Sequence, residues 1–218
     1  MDSLEFSQPK KELTVEERKI AKSFEESPSL ELRDKIFLVL IWRGLKTASP
    51  VSIDIEKDKS AVETLMEKVS NAGLFSLLGN ATTQEKFGLK SGRILFVANN
   101  EKDLKLVFDL WNGDHQKDPQ VYKEIGRMSG FPQTAIDTYD AFTRLLEPER
   151  EAMKEKLVLS EEEKKKLIPA EFFPFASLFF MSRAHWQAEF ETMKKCAGEI
   201  KFVTPQLYQQ YLDWYSTI

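Results

Sequence analysis

The sequence predicts a helix-rich α/β or α+β domain with a small mixed sheet of about three to five strands. Three observations lead to this prediction. Short apolar runs at 51–55 and 93–98 are each followed by a helix pattern, which is typical of helices packed on a sheet. An aromatic run at 174–181 predicts another buried strand, next to the one at 93–98. Most other apolar residues recur at helical spacing.

Length and composition restrict the class of protein. The 218 residues suit a single domain at 13–218 after a loose polar tail at 1–12. A net charge of -4 gives no attraction for phosphate backbones, so we expect no nucleic-acid partner. The single cysteine, Cys196, excludes an intramolecular disulfide and a thiolate zinc site. Because the N-terminus also lacks a signal-peptide core, we expect a cytoplasmic protein.

The first two helices are predicted from a cap and from an apolar run. Thr14 and Glu17 form a capping box, and the helix that follows ends near Ser27. Residues 36–42 are apolar on all sides, which predicts a buried helix over about 30–45, although a buried strand gives the same run. This run is far shorter than the ~20 residues that cross a bilayer, so we expect a soluble protein without membrane contact.

Two strand-then-helix units follow. Residues 51–55 alternate as in a half-buried strand, and the next helix ends at Gly73, in the position of a C-terminal cap. One or two short strands are expected between 74 and 91. The central strand at 93–98 then leads into a helix for which Asn100 is the N-cap.

The second half is predicted to be mostly helical. Helices begin at Pro119, Pro132 and Thr204-Pro205, and Gly130 separates the first two. The charge-dense segment 147–170 predicts an exposed helical excursion. A further helix runs from Ser182 to Gly198.

A candidate anion site lies at the end of the central strand. Asn99 and Asn100 stand where free backbone donors at a helix N-terminus point outward. Arg127, in the last turn of the helix from Pro119, can return to this end. The alternative for Asn100 is a purely structural cap.

A second candidate is the polar loop with Asp114 and His115, where the carboxylate could orient an imidazole base. This loop lies roughly 18 Å away, at the far end of the intervening helix. It therefore belongs to a separate cleft, shared with His185, or is simply a solvated connection.

Metal and cofactor chemistry have little support. His185 and Glu189 are four residues apart on a predicted helix, as in a metal site or an ordinary ion pair, but no third ligand is evident. No phosphate-binding glycine motif, nucleophile elbow or His-Glu-x-x-His motif occurs. We therefore expect no metal and no cofactor, and whether the protein is an enzyme stays open.

The last helix carries a tyrosine-rich stripe and ends near Trp214 and Tyr215. Such a stripe either closes the core or forms a surface for a protein partner or a second copy of the chain.

Two segments resemble uncharacterised bacterial and archaeal proteins. The segment from Gly130-Phe131-Pro132 to Tyr139 is similar to their pattern Gly-Tyr-Pro-x-Cys-Cys followed by an aromatic residue. Ser182-x-x-His185-Trp186-Gln187-x-Glu189, with the later Thr204-Pro205-Gln206-Leu207-Tyr208, resembles a second pattern. Thr134 and Ala135 occupy the cysteine positions, so the resemblance implies no thiol or metal role here, and it implies no named activity.

Two functional expectations follow. The first is a soluble binding or interaction module without evident catalytic machinery. The alternative is an enzyme or a small-ligand binder, with an anionic ligand, that uses a cleft at the end of the central strand.

Overall fold

The computed structural model describes residues 12–55, 59–80, 92–112, 119–145, 149–150, 153, 156–176, 178 and 181–217. Within these ranges the fold is rich in helices and contains a three-stranded sheet. The predicted helix-rich class with a small sheet is confirmed. The sheet is antiparallel rather than mixed. The predicted tail lies almost entirely outside the described residues.

The elements follow the chain in this order: α1 (Val15–Glu25), α2 (Leu32–Trp42), β1 (Ala48–Asp54), α3 (Ala61–Asn71), β2 (Phe75–Leu78), β3 (Gly92–Ala98), α4 (Glu101–Asn112), α5 (Pro119–Met128), α6 (Gln133–Thr143), α7 (Glu161–Leu167), α8 (Phe173–Ala176), α9 (Trp186–Val203) and α10 (Pro205–Tyr215).

The central strand β3 is buried on both faces, which explains its uninterrupted apolar sequence. It lies between β1 and β2, with Val51 opposite Leu95 and Leu77 opposite Phe96. Leu95 and Val97 face the larger core, formed with α2, α3, α9 and α10. Ile94, Phe96 and Ala98 face a smaller core formed with α4 and α5. The sheet is therefore the middle of three layers.

The outer edge of β1 is closed by groups that satisfy its backbone. The N–H of Ser52 donates to the carboxylate of Asp34 at 3.1 Å, and the N–H of Asp54 donates to the carbonyl of Ser29 at 2.9 Å. By alternation the next outward position is Pro50, which has no N–H to satisfy. This edge is consequently not available to another strand.

The predicted strand at 174–181 is wrong. Phe173–Ala176 form the short helix α8, and Ser182, just beyond the predicted strand, makes an isolated bridge with Val158. Positions 177, 179 and 180 lie outside the described residues. Phe175 packs against the rings of Tyr208 and Tyr211 in α10, with centroid distances of 5.2 and 5.0 Å. Phe175 is thus buried against a helix, and the N–H groups of Phe175 and Ala176 donate to the nearby carbonyl of Phe172.

The helix ends illustrate which local patterns decide structure. The capping boxes at Thr14 and Ser160 form with both hydrogen bonds, as predicted. Gly73 has φ +72° after α3, as expected for a C-terminal cap. The predicted end at Gly198 is wrong, because α9 continues to Val203. Burial of side chains beyond Gly198, such as Ile200, stabilises the continued helix.

Gly130 packs closely against the backbone of the segment between α2 and β1. Its φ is +75°, and a Cβ atom built there would lie 2.1 Å from the carbonyl oxygen of Leu45. The neighbouring N–H of Thr47 donates to the carbonyl of Met128 at 2.8 Å. The turn between α5 and α6 is therefore pressed onto the segment that connects α2 to β1.

Replacing Gly130 by Ala should destabilise the protein more than the same change at Gly44. Gly44 has φ +71° but nothing within 4 Å of the place that a Cβ atom would occupy, so only the left-handed conformation is penalised, by about 1–2 kcal/mol. At Gly130 the overlap with Leu45 should add at least about 2 kcal/mol. Denaturant unfolding of both variants measures the difference. Equal losses would show that the turn moves away from Leu45 at little cost.

Asp34 should make stability depend on pH. It is only 2% exposed, and burial raises the pKa of its carboxyl from 3.8 to about 6 despite the hydrogen bond from Ser52. A raised carboxyl pKa favours the folded state below about pH 4, and this contribution is lost as the pH rises through 6. The free energy of unfolding of Asp34→Asn, minus that of the wild type, should therefore increase by roughly 2–3 kcal/mol between pH 4 and 7. A constant difference would contradict this burial cost.

Candidate functional site

Asn99, Asn100 and Arg127 come together at the carboxyl end of β3. Asn100 caps α4, since its side-chain oxygen accepts from the N–H of Asp103 at 2.8 Å. Its Nδ2 donates to Asn99 at 2.8 Å and to the Asp103 carboxylate at 3.1 Å. Arg127 returns from the end of α5 and donates to the same carboxylate at 2.8 Å. The three side chains thus form a network around Asp103.

Within this network the guanidinium of Arg127 is already paired with two carboxylates, those of Asp103 and Glu124. Arg127 bonds to Glu124 at 2.9 Å as well as to Asp103, and these hydrogen bonds raise the pKa of its guanidinium. Burial raises the pKa of Asp103, but the bonds from Arg127 and Asn100 outweigh it and hold that pKa below its usual value. Two carboxylates beside one guanidinium leave little attraction for a further anion. Asp114 and His115 lie outside the described residues.

The two segments that carry the resemblance meet at Glu189. Its buried carboxylate accepts from the N–H and hydroxyl of Ser182, at 2.5 and 2.7 Å, and from the hydroxyl of Thr134 at 3.2 Å. These bonds direct the carboxylate into the protein. His185, as the residue before α9, instead donates its N–H to Ser182 at 3.2 Å. Glu189 therefore links three parts of the chain through hydrogen bonds to hydroxyl and backbone groups.

A cavity of about 190 Å³ lies beside the same end of the central strand. Its position follows from Ala48 and Ser49, which border it and pair with Ala98 and Val97 of β3. The walls are mainly apolar and come from α2, α4, α5, the turn after α5, and Leu178. The lining residues are Phe37, Lys46, Ala48, Ser49, Pro50, Val107, Trp111, Ile125, Met128, Ser129, Phe131 and Leu178.

Lys46 is the charged residue of this cavity, and it is only 6% exposed. Across the described ranges, no hydrogen-bond acceptor or carboxylate contacts its Nζ. The ammonium instead lies 4.0 Å from the centroid of the Phe37 ring. A cation–π contact replaces only part of the hydration that burial removes. By contrast, the similarly buried Lys164 is paired with Glu161 at 2.7 Å.

Burial lowers the pKa of the Lys46 ammonium to about 8. A thiolate at Cys196, in α9, would raise this pKa again, whereas the positive charge of Arg33 lowers it further. Burial in turn raises the pKa of Cys196 to about 11, so the thiol is neutral near pH 7. Cys196 therefore provides no negative charge to pair with Lys46, and its interpretation as a small core residue agrees with its burial.

The chain reaches this arrangement through two turns. Gly44, with φ +71°, ends α2 and lets the N–H groups of Leu45 and Lys46 return to the carbonyl of Leu40, at 2.8 and 3.2 Å. The turn at Gly130 then covers Lys46, and Phe131 becomes part of the cavity wall. Sequence reasoning selected Gly130 but missed Lys46. The only local signal for this lysine is its place between a buried helix and a strand.

Two other cavities border α10. One of about 450 Å³ is lined by Arg33, Asp54 and Trp214, and one of about 300 Å³ by Phe173 and Tyr215. The tyrosine-rich stripe itself closes the core, because Leu207, Tyr208 and Tyr211 are buried. Trp214 is 45% exposed and stacks on Tyr211. On this helix, the aromatic surface that remains exposed to a partner is therefore mainly at the C-terminal end, at Trp214.

No group of three or more metal-ligating side chains is found among the described residues. In the same ranges, no helix is both long enough and apolar enough to cross a membrane. The chain matches no protein-family model, no curated protein and no solved structure. The resemblance described above therefore stays a prediction, and functional arguments depend on the site itself.

Replacing Lys46 by Met should stabilise the protein near pH 7. The lowered pKa corresponds to a cost of about 3 kcal/mol for holding the charged form, and loss of the Phe37 contact offsets part of the gain. We expect a net gain of roughly 2 kcal/mol in denaturant unfolding.

The gain should also depend on pH. Because the unfolded state binds the proton more tightly, wild-type stability should rise relative to the variant between pH 8 and 10.5. Lys102→Met, at an exposed position of α4, is the matched control and should change stability by less than about 0.5 kcal/mol. A destabilised Lys46→Met variant would show that the ammonium is satisfied where it lies.

Proposed function

We propose that this protein binds a small, mostly apolar carboxylic acid in the cavity that contains Lys46. The observation that carries the proposal is the side chain of Lys46, which is only 6% exposed, borders an apolar cavity and has no hydrogen-bond or ion-pair partner among the described residues. A ligand carboxylate would supply the missing partner. Short charge-assisted hydrogen bonds of this kind are about twice as strong as neutral ones.

The walls favour a ligand with an apolar body. Phe37, Trp111 and Phe131 offer aromatic surfaces, and Met128 is an adaptable thioether neighbour. Ser129 adds a hydroxyl that can bond to a second ligand oxygen. A few polar groups in an otherwise apolar cavity are typical of small-molecule sites.

The cavity also limits ligand size. Its volume of about 190 Å³ is below the roughly 300–1,000 Å³ of pockets that hold drug-sized molecules. A single ring or a short aliphatic chain with one carboxylate is therefore the expected class. This proposal agrees with the anionic ligand expected from sequence but moves it from Arg127 to Lys46. The reason is that Arg127 is already paired with Asp103 and Glu124.

Binding is also the simplest function for this arrangement. Lys46 has no neighbouring carboxylate or imidazole, among the described residues, that would act with it as an acid or base. A buried charge that costs stability is commonly retained for a role in function. On this proposal the protein is a soluble small-ligand binder.

Benzoate should bind the full-length protein with a Kd on the order of 0.1 mM, as measured by calorimetry or NMR titration. Benzamide has the same shape without the charge and should bind at least tenfold more weakly, because it cannot pair with the ammonium. Lys46→Met should lose the preference for benzoate, whereas Lys102→Met should keep it. The proposal fails if benzamide binds as well as benzoate, or if Lys46→Met binds benzoate like the wild type.

A further inference from the structure

The same lysine has a second chemical property, which concerns its neutral form. A primary amine held in an apolar cavity, without a carboxylate to keep it protonated, is the environment in which lysine becomes a nucleophile near neutral pH. Lys46 meets this description, and the cavity has room in front of it for a small molecule. We propose that Lys46 forms a reversible imine with small aldehydes or ketones that enter this cavity. The inference rests on the proposed function only in requiring that the cavity admit small ligands.

The reaction balances without any further reagent. The lone pair of neutral Nζ forms a bond to the carbonyl carbon, and the C=O π pair moves to oxygen, which takes a proton. The nitrogen of this carbinolamine loses one proton and becomes neutral, and the hydroxyl gains a second proton and leaves as water with the C–O bonding pair while the nitrogen lone pair forms the new double bond. The nitrogen then loses its remaining proton, so the two protons carried by the water equal the two lost by the amine. A C=N bond remains. Nothing is oxidised or reduced, and hydrolysis by one water reverses the step.

The surroundings of Lys46 favour both stages. The charged or titratable groups that act on it are Arg33 of α2 and the neutral thiol of Cys196 in α9. The contributions of α4 and α5 to the wall, which include Trp111 and Met128, are not titratable. A positive neighbour and apolar walls increase the share of neutral amine. Ser129 borders the same cavity and carries a hydroxyl, the type of group that can donate to a carbinolamine oxygen.

Reductive trapping tests this inference on the full-length wild-type protein. Benzaldehyde and cyanoborohydride are added near pH 7, and the hydride converts any imine into a stable benzylamine. Peptide mapping by mass spectrometry then gives the rate of benzylation at each lysine. We expect labelling of Lys46 on the order of tenfold faster than labelling of the exposed Lys102, because burial lowers the pKa of Lys46 and so increases its share of neutral amine. Equal or slower labelling of Lys46 would overturn the inference.

Further arms separate this inference from the proposed function. Cys196→Ala should label like the wild type, since the thiol is not the group that reacts. If it abolished labelling at Lys46 while its thermal unfolding stayed unchanged, the assignment to the amine alone would be wrong. Excess benzoate should slow labelling of Lys46 several-fold and leave Lys102 unchanged. Fast labelling without benzoate binding would support the imine and refute the carboxylate proposal, and benzoate binding without labelling would do the reverse.

Discussion

The close approach of Gly130 to the carbonyl of Leu45 is the constraint on which the site depends. At 2.1 Å from that oxygen, a Cβ atom has no room, so the turn after α5 can lie on the α2–β1 connection only with glycine. The contact positions Met128 to accept from Thr47 and brings Phe131 over the cavity. Lys46 lies in the middle of this connection, so its burial is a consequence of backbone packing around it.

Lys46 differs from Arg43 and Lys68, whose charged groups have hydrogen-bond or ion-pair partners. Arg43 joins α1 to α9 through Glu17 and Glu199, at 3.0 and 2.6 Å. Lys68 donates to the carbonyl of Ser23 and the hydroxyl of Ser27, at 2.9 and 2.8 Å, near the end of α1. These cations stabilise elements by satisfying free carbonyls and carboxylates. An ammonium that faces a ring and a cavity contributes less to stability, which is why it is interpreted as part of a site.

The sheet shows how one interaction can serve both structure and the position of a site. The outer edge of β1 is closed by Pro50, Asp34 and Ser29, so no further strand can pair with β1 on that side. Pairing with β3 holds the residues at the start of β1 against the carboxyl end of the central strand. At 173–176 the predicted strand is replaced by the helix α8. In this helix Phe175 is buried against the rings of Tyr208 and Tyr211 in α10.

Local patterns in the sequence determined most of the elements. Capping boxes at Thr14 and Ser160, the cap at Asn100 and the turn at Gly130 depend on residues within a few positions of each other, so they could be predicted without tertiary contacts. The meeting of Asn100 with Arg127 was anticipated from helix length, but the Asp103 carboxylate between them was not.

Only the tertiary structure decided the rest. An aromatic run such as 174–181 is apolar whether it joins a sheet or packs on a helix, so its partner decides its conformation. Gly198 stays helical because buried neighbours on both sides of it outweigh its low propensity. The environment of Lys46 depends on Phe37, Trp111 and Phe131, which are far apart in the chain. No local pattern distinguishes this lysine from a solvated one, because burial and the loss of partners are properties of the assembled fold.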